Sequence, residues 1–379
     1  MRIFQNLKVD FLGKRKLFYL VSAALLFIGL LNIIFRGLEF GVDFLGGTEI
    51  VLQFRSQVNI SDVRNNVQDT GLKDAEVKTF GGETGVLIRT ELQEIPGEIY
   101  PRIVSDIEKI VNDNFPGLEK RVIDSTSNSI TYQFPNPDTT NRVTEVLNKA
   151  GFQADEVSLE PDNRDVVVSI GIADWIEENL KQRMPDNPFV VLKEDKVGPK
   201  VGSELKEDAV IAIFFSLVAI LIYIAFRFKF IFALGAVISL FHNVLITLGL
   251  FSILYDLIPG LNLEIDLTIV AAFLTLVGYS INDTVVIFDR IRENLKIHKT
   301  LPLFDVINMS VNRTMSRTVL TGGTTLVTLL VLTIFGGEVL RAFAFTLFFG
   351  IIIGTYASIF VAGALIYDYA SRSKKRIQF

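Results

Sequence analysis

The chain has 379 residues, half of them hydrophobic, and a formal net charge of −5; its mean hydropathy is +0.42. It has no cysteine and two histidines, which excludes disulfides and thiolate metal sites and leaves little for zinc. The charge is strongly segregated along a chain of membrane-protein hydropathy, and nothing in it points to nucleic acid, a cofactor or a metal.

About 20 mostly apolar residues cross a bilayer as a helix. Six stretches qualify: Leu17–Phe35, Ala209–Phe226, Phe230–Leu254, Leu267–Phe288, Val319–Phe335 and Ala342–Tyr367. Only helices satisfy their backbone polar groups over such lengths in lipid. The first stretch follows a basic N-terminus, lacks a small-residue cleavage site and is long enough to span, so it reads as a retained anchor rather than a signal peptide. About 170 residues (37–206) follow it before the other five helices come close together. The expected domains are 1–36, 37–207 and 208–379.

Positive charge predicts the orientation. Arg2, Lys8, Lys14, Arg15 and Lys16 precede helix 1, and Arg227 and Lys229 lie between helices 2 and 3. Arg290, Arg292, Lys296, Lys299, Arg313 and Arg317 lie between helices 4 and 5, and Arg372, Lys374, Lys375 and Arg376 follow helix 6. The alternate loops are almost free of Lys and Arg. Both termini are therefore expected in the cytoplasm, with the 37–206 segment outside.

That segment reads as a tandem repeat of β-α-β-β-α units. The first unit has strand Thr48–Phe54, helix Ile60–Thr70, strands Glu76–Thr79 and Gly85–Glu91, and helix Glu98–Asn114. The second has strand Ser129–Phe134, helix Thr139–Ala150 ending at Gly151, strands Glu156–Leu159 and Asp165–Ile170, helix Ile172–Met184 and strand Phe189–Lys193. Alternation marks the strands and 3.6-residue spacing the helices. Two ferredoxin-like modules, about 46–120 and 121–196, are expected, with a single irregular α+β domain as the alternative.

Helix 4 carries the chain's most informative residue. Asp283 follows sixteen uncharged positions and is flanked by apolar residues. A carboxylate at such depth costs roughly 2.5–3.5 kcal/mol on insertion scales and by default marks ion or proton handling. Tyr279, Ser280 and Ile287 are one turn away and Asn282 is adjacent. The cation expected to pair with Asp283 is Arg317 at the start of helix 5, heading a polar stripe of Thr321, Thr324 and Thr328 at helical spacing. A static ion pair or a hydrogen-bonded acid that pins packing is the alternative. His242 and Asn243, in the middle of helix 3, read either as a relay or as packing residues. Asp256, Glu264 and Asp266 read as loop charges at the outer surface, and Asp289, Arg290, Arg292 and Glu293 as solvated interfacial charges. Gly350, Gly354, Ser358 and Ala362 recur every four residues on helix 6, a small-residue seam for close helix packing. Residues 300–316 predict a short interfacial helix starting near Pro302.

Five segments together resemble the SecF side of the SecD/SecF family of the bacterial Sec translocase: GVDFLGGTEI (Gly41–Ile50), VGPKVGSEL (Val197–Leu205), GYSINDTVVIFDRIREN (Gly278–Asn294), NRTMSRTVLTGGTT (Asn312–Thr325) and FGIIIGTYASIFVA (Phe349–Ala362). The resemblance implies a six-helix bundle forming half of an RND-type transmembrane domain, with ferredoxin-like material outside. It implies a non-enzymatic accessory subunit in the cell membrane that works with SecD and the SecYEG channel. That subunit draws on the proton-motive force to pull preproteins outward. Asp283 and Arg317 match family positions implicated in proton conduction, with Asn282, Tyr279 and Thr321 beside them. The outside segment is about twice the size usual in the family, which suggests an inserted module at Val122–Met184. A half-transporter of an RND-type small-molecule exporter and a scaffold without a proton role are the competing functions.

Overall fold

The computed structural model describes residues 7–373 except 73, 93, 96, 98, 99, 127, 151, 159–161, 256, 259 and 260. The expected helix end at Gly151, the loop charge Asp256 and the basic residues Arg2, Lys374, Lys375 and Arg376 lie outside the described residues. The chain divides into two compact units, Met1–Gly41 with Leu205–Phe379, and Val42–Glu204.

The first unit opens with α1 (Arg15–Arg36). The second contains α2 (Val42–Leu45), β1 (Gly47–Phe54), α3 (Ile60–Asp69), β2 (Glu76–Thr79), β3 (Gly85–Thr90), α4 (Tyr100–Asn114), β4 (Arg121–Ser125), β5 (Ser129–Gln133), α5 (Pro137–Ala150), β6 (Gln153–Glu156), β7 (Asp165–Ser169), α6 (Ile172–Arg183) and β8 (Phe189–Val197). The chain then runs through α7 (Pro199–Arg227), α8 (Phe230–Leu254), α9 (Leu267–Ile297), α10 (Leu303–Phe335), α11 (Gly337–Ala357), a π-helical turn (Ser358–Ala362) and α12 (Gly363–Ser373).

Six helical segments in the first unit are long and apolar enough to cross a membrane. Helices α8, α9 and α11 carry much of the buried surface, whereas α1, α7 and α10 are largely exposed. Helices α1 and α8 cross at two glycines: a Cβ on Gly29 would come within 3.0 Å of the Gly249 Cα. Asp266 starts α9, its carboxylate accepting from the Ile269 N–H at 2.7 Å, so it is a helix cap rather than a free loop charge. Glu264 is also corrected, being buried. The expected short interfacial helix is not separate. Pro302 precedes a continuous 33-residue α10, since no proline interrupts the segment after it. At the start of α10, Asn308 and Asn312 grip the chain before α1. The Asn312 amide pairs with both backbone groups of Val9 (2.9 and 2.8 Å), and Asn308 accepts from the Phe11 N–H (2.9 Å).

The second unit holds two four-stranded antiparallel sheets, ordered β2-β3-β1-β8 and β4-β5-β7-β6. Their residues share one apolar core that includes Ile50, Leu52, Val63, Ile107, Tyr132, Val143, Val168 and Ile176. The expected division into modules near residue 120 is corrected by the pairing of β8. Phe189–Val197 lies against β1, from Phe54↔Phe189 to Gly47↔Val197, and α6 packs on β1 and α3. The first plait is therefore β1-α3-β2-β3, completed by α6 and β8 after a long excursion. The inserted elements are α4-β4-β5-α5-β6-β7, not Val122–Met184. Traced from β5, the second sheet repeats the order of the first, with β4 in the place of β8. Its helix and edge strand precede the rest, so the insert is a circularly permuted copy of the same plait. Gly46 and Gly47 lead into β1 with φ of 77° and 111°. A Cβ on Gly47 would meet the Thr90 carbonyl oxygen at 2.2 Å, so only glycine fits there.

Helix α6 is buried at Ile172, Ala173, Asp174, Trp175, Ile176, Glu178 and Leu180. Glu178 is 2 % exposed. One of its oxygens accepts from the Gln182 side chain at 3.0 Å, and the other has no hydrogen-bond partner. Burial, with the negative charge of Asp106 on α4 acting in the same direction, pushes Glu178 up to about 8. Burial also raises Asp174 and Glu194. A carboxyl raised on folding favours the folded state when protonated. Its contribution is full below the unfolded value of 4.5 and disappears as pH climbs through about 8. At ~1.4 kcal/mol per pH unit for one proton, the span from 4.5 to about 8 amounts to on the order of 5 kcal/mol. The expected result is that hydrogen exchange at residues 172–183 slows as pH falls from 8 toward 5, after correction for intrinsic rates. Glu178→Gln should flatten most of that dependence, Asp174 and Glu194 supplying the remainder. An unaltered slope in the variant would remove Glu178 as its source.

Candidate functional site

The site grows from the seam between α9 and α11. Leu276, Ser280, Asp283 and Thr284 lie along one side of α9, and Gly350, Gly354, Thr355 and Ser358 along the facing side of α11 and its π turn. A Cβ on Gly350 would fall 2.4 Å from a Leu276 methyl, and one on Gly354 would fall 2.3 Å from Ser280 Oγ and 2.8 Å from Asn243 Nδ2. Close approach of this kind is what small residues at four-residue spacing permit. It brings polar side chains within direct hydrogen-bonding distance.

Two rungs cross the seam, and a third joins α8 to α9 beside it. Asn243 of α8 donates to Ser280 Oγ at 2.8 Å. Thr355 donates to Asp283 Oδ2 at 3.2 Å. The Thr284 and Ser358 hydroxyls are 2.7 Å apart, and Ser358 also donates to the Gly354 carbonyl at 2.9 Å. Asp283 is 8 % exposed and has, among the described residues, one direct side-chain partner, the Thr355 hydroxyl. The last rung lies where α11 passes into the π turn, a helix irregularity frequent at functional sites. None of Thr355, Thr284 or Asn243 is singled out by spacing around Asp283 alone. Their signal is adjacency to the Gly350–Gly354–Ser358 seam, which carries Thr355 next to Gly354.

The expected direct pairing of Asp283 with Arg317 is corrected. No ion pair or hydrogen bond joins them, and Arg317 is exposed on α10, acting on Asp283 only through space. Tyr279, one turn before Asp283, bonds α10 instead, its hydroxyl donating to Thr325 at 3.3 Å. Asn282, Thr321, Thr324 and Thr328 are exposed. Thr324 and Thr328 turn their hydroxyls back onto carbonyls of α10. The residues expected around Asp283 thus fall into two sets. Ser280, Gly350, Gly354 and Ser358 gather inside the bundle with it, while Arg317 and Thr321 are exposed on α10 and Asn282 is exposed on α9. The physical reason is helix rotation: the face of α9 bearing Asp283 meets α11, and α10 meets α9 through Tyr279.

These features define a multi-pass membrane protein with a carboxylate locked into its helix bundle and a doubled α+β plait between its first two spans. The sequence pattern of protein export membrane protein SecD/SecF, C-terminal, matches residues 176–372, and that of the SecD/SecF GG motif matches residues 33–58, around Gly46 and Gly47. A protein translocase subunit SecF from Rhodothermus marinus is 38 % identical over 91 % of this chain and 88 % of its own length. One from Koribacter versatilis is 37 % identical over 91 % and 87 %. Among solved structures, SecDF from Thermus thermophilus, described as a translocon-associated membrane protein, superposes with a TM-score of 0.65 at 26 % identity. The match covers 97 % of this chain and 39 % of that one. The chain belongs to the SecD/SecF family, among its SecF members.

Proposed function

We propose that this chain is an accessory subunit of the Sec translocase that helps move preproteins outward at the expense of the proton-motive force, with Asp283 as the proton-exchanging group. The observation that carries this reading is the exposed polar strip of Arg317, Thr321, Thr324 and Thr328 on a membrane-spanning helix. Thr324 and Thr328 satisfy their hydroxyls on α10 itself, but the arginine that heads the strip would be costly against lipid, and such a group faces a bundle interior or a wet cavity. The strip therefore calls for a second membrane subunit, and SecD is that partner. The length of the SecDF chain, of which this one spans 39 %, fits a complex of two such halves.

In this reading the protein lies in the inner membrane with both termini in the cytoplasm, as the Lys and Arg distribution favours. The doubled plait is on the outer side, where it meets the emerging polypeptide. Asp283 trades its proton while Arg317, held apart in this conformation, responds to the charge that appears. SecYEG provides the channel, and ATP hydrolysis resides outside this chain. The test is affinity purification of the tagged protein from mildly solubilised membranes, followed by translocation into inverted vesicles with and without an imposed gradient. Recovery of SecD and SecYEG with gradient-stimulated translocation is the expected result. Recovery of an exporter's adaptor, with no effect on translocation, would establish the small-molecule exporter reading instead.

A further inference from the structure

His242 sits mid-helix in α8, 6 % exposed, and among the described residues neither ring nitrogen has a hydrogen-bond partner; the Asn243 side-chain oxygen beside it has none either. Leaving a buried polar atom unpaired costs about 1–3 kcal/mol, so three in adjacent residues are not explained by packing. Each is a polar atom able to take a hydrogen bond from or to a water. The imidazole lies against the Tyr356 ring, 6.2 Å between centroids and 28° between planes. Tyr356 directly follows Thr355, the residue bonded to Asp283. On the other side, Asn243 reaches Ser280, one turn before Asp283.

From Tyr356 the polar contacts continue along α1. The Ser22 hydroxyl lies 2.8 Å from the Tyr356 hydroxyl, which donates to the Phe18 carbonyl at 2.7 Å. One turn before Ser22, the Tyr19 hydroxyl donates to Asp368 of α12 at 3.1 Å. Asp368 also accepts from Arg15 Nε at 2.9 Å, and its side chain is 30 % exposed. Arg15 and Asp368 lie next to the charged ends of α1 and α12, at the face that the proposed orientation puts in the cytoplasm. The hydrogen bonds form two separate pieces, Tyr356 with Ser22 and Tyr19 with Asp368 and Arg15, and the His242 ring stacks on the inner piece at Tyr356.

We propose that His242 is a proton relay between Asp283 and the Asp368 end of the bundle, so that Asp283 exchanges protons with the cytoplasm along the α1–α8–α11 face. This rests on the proton-coupled reading of Asp283. An imidazole takes a proton at one nitrogen and gives one up from the other, so the relay leaves no net charge behind. Internal water supplies the links that direct hydrogen bonds do not make, using the unpaired atoms of His242 and Asn243. The titratable and charged groups that neighbouring helices bring to the string are Arg15 and Tyr19 from α1, Asp283 from α9, Tyr356 from α11, and Asp368 and Arg372 from α12. The route lies inside this chain, away from the Arg317 strip, so it is independent of how the partner half is arranged.

The test uses the full complex in inverted vesicles, whose medium faces the cytoplasmic side, and measures gradient-stimulated translocation against medium pH. Asp283→Asn serves as the reference. His242→Phe keeps a ring against Tyr356 and removes both nitrogens; His242→Gln keeps polarity and removes titration. Both should lower stimulation on the order of tenfold or more and shift its pH profile, with association to SecD unaltered. Tyr356→Phe and Asp368→Asn should shift the profile in the same direction. Should His242→Phe fail to accumulate, His242→Gln and Asp368→Asn carry the test. If Asp283→Asn loses stimulation while His242→Gln keeps the wild-type rate and profile, the relay is wrong and the Asp283 reading stands. If Asp283→Asn itself keeps full stimulation, the proton reading falls and the relay falls with it.

Discussion

Asp283→Asn is expected to abolish gradient stimulation of translocation while leaving the protein in the membrane at normal levels. The substitution is nearly isosteric. An asparagine oxygen still accepts from Thr355, 3.2 Å away in the native site, and the Gly350–Gly354 seam is untouched. Only the capacity to take and release a proton is removed. One charge moved through 100 mV is worth ~2.3 kcal/mol, a bias of roughly fifty-fold on any two-state element that senses it, and the variant forfeits that bias in full. Asp283→Glu keeps the titratable group but pushes it one methylene into Thr355, so partial stimulation should remain. The readout is the ratio of translocation with and without an imposed gradient in vesicles containing the partner subunits. An undiminished ratio in Asp283→Asn would make the carboxylate a packing device.

Gly354→Leu should damage the same machinery through sterics. Its Cβ alone would stand 2.3 Å from Ser280 Oγ and 2.8 Å from Asn243 Nδ2, and both are committed to a hydrogen bond with each other. Neither can retreat without leaving a buried polar group unpaired. Overpacking of this kind costs about 1–3 kcal/mol, to which the broken Asn243–Ser280 bond adds. The seam should open, the Thr355 hydroxyl should lose its alignment with Asp283, and thermal stability in detergent should fall together with gradient stimulation. A graded comparison sharpens the expectation. Gly350→Ala would press on a Leu276 methyl, the movable end of a flexible side chain, whereas Gly354→Ala presses on a short hydroxyl. The alanine at 354 should therefore be the more harmful, as a lower melting temperature in fluorescence-detected chromatography. Equal melting temperatures would show that the helices are not held at that separation.

Much of this was legible before any coordinates. Apolar length identifies the six spans because a helix in lipid has no alternative. Asp283 stands out because the positions around it are apolar, and the seam on α11 because glycine and serine recur every four residues. What local pattern does not carry is which partner an element chooses. Phe189–Val197 alternates like any strand, and nothing within it indicates that it pairs with β1 rather than with its sequence neighbours. The division near residue 120 followed from that, and α6 was assigned to the wrong plait with it. Helix spacing likewise puts Arg317 and Thr321 on one face of α10 but does not give the rotation that turns the face outward. The π turn at Ser358–Ala362 reads Ser-Ile-Phe-Val-Ala and has no signature in the local pattern; it begins at Ser358, whose hydroxyl contacts both Thr284 and the Gly354 carbonyl.

The pairing of β1 with β8 also decides how the plait would carry a mechanical load. The membrane helices connect to it through the start of β1 and the end of β8, and those two ends, Gly47 and Val197, are directly opposite each other. Tension that drew α1 and α7 apart would reach the sheet there and act across the strands, parting the ladder one rung after another instead of shearing all of it together. The permuted insert leaves β3 and returns at α6, so it lies off this line of force. It would be carried as cargo by the first plait, and the β1–β8 ladder would be the part that yields.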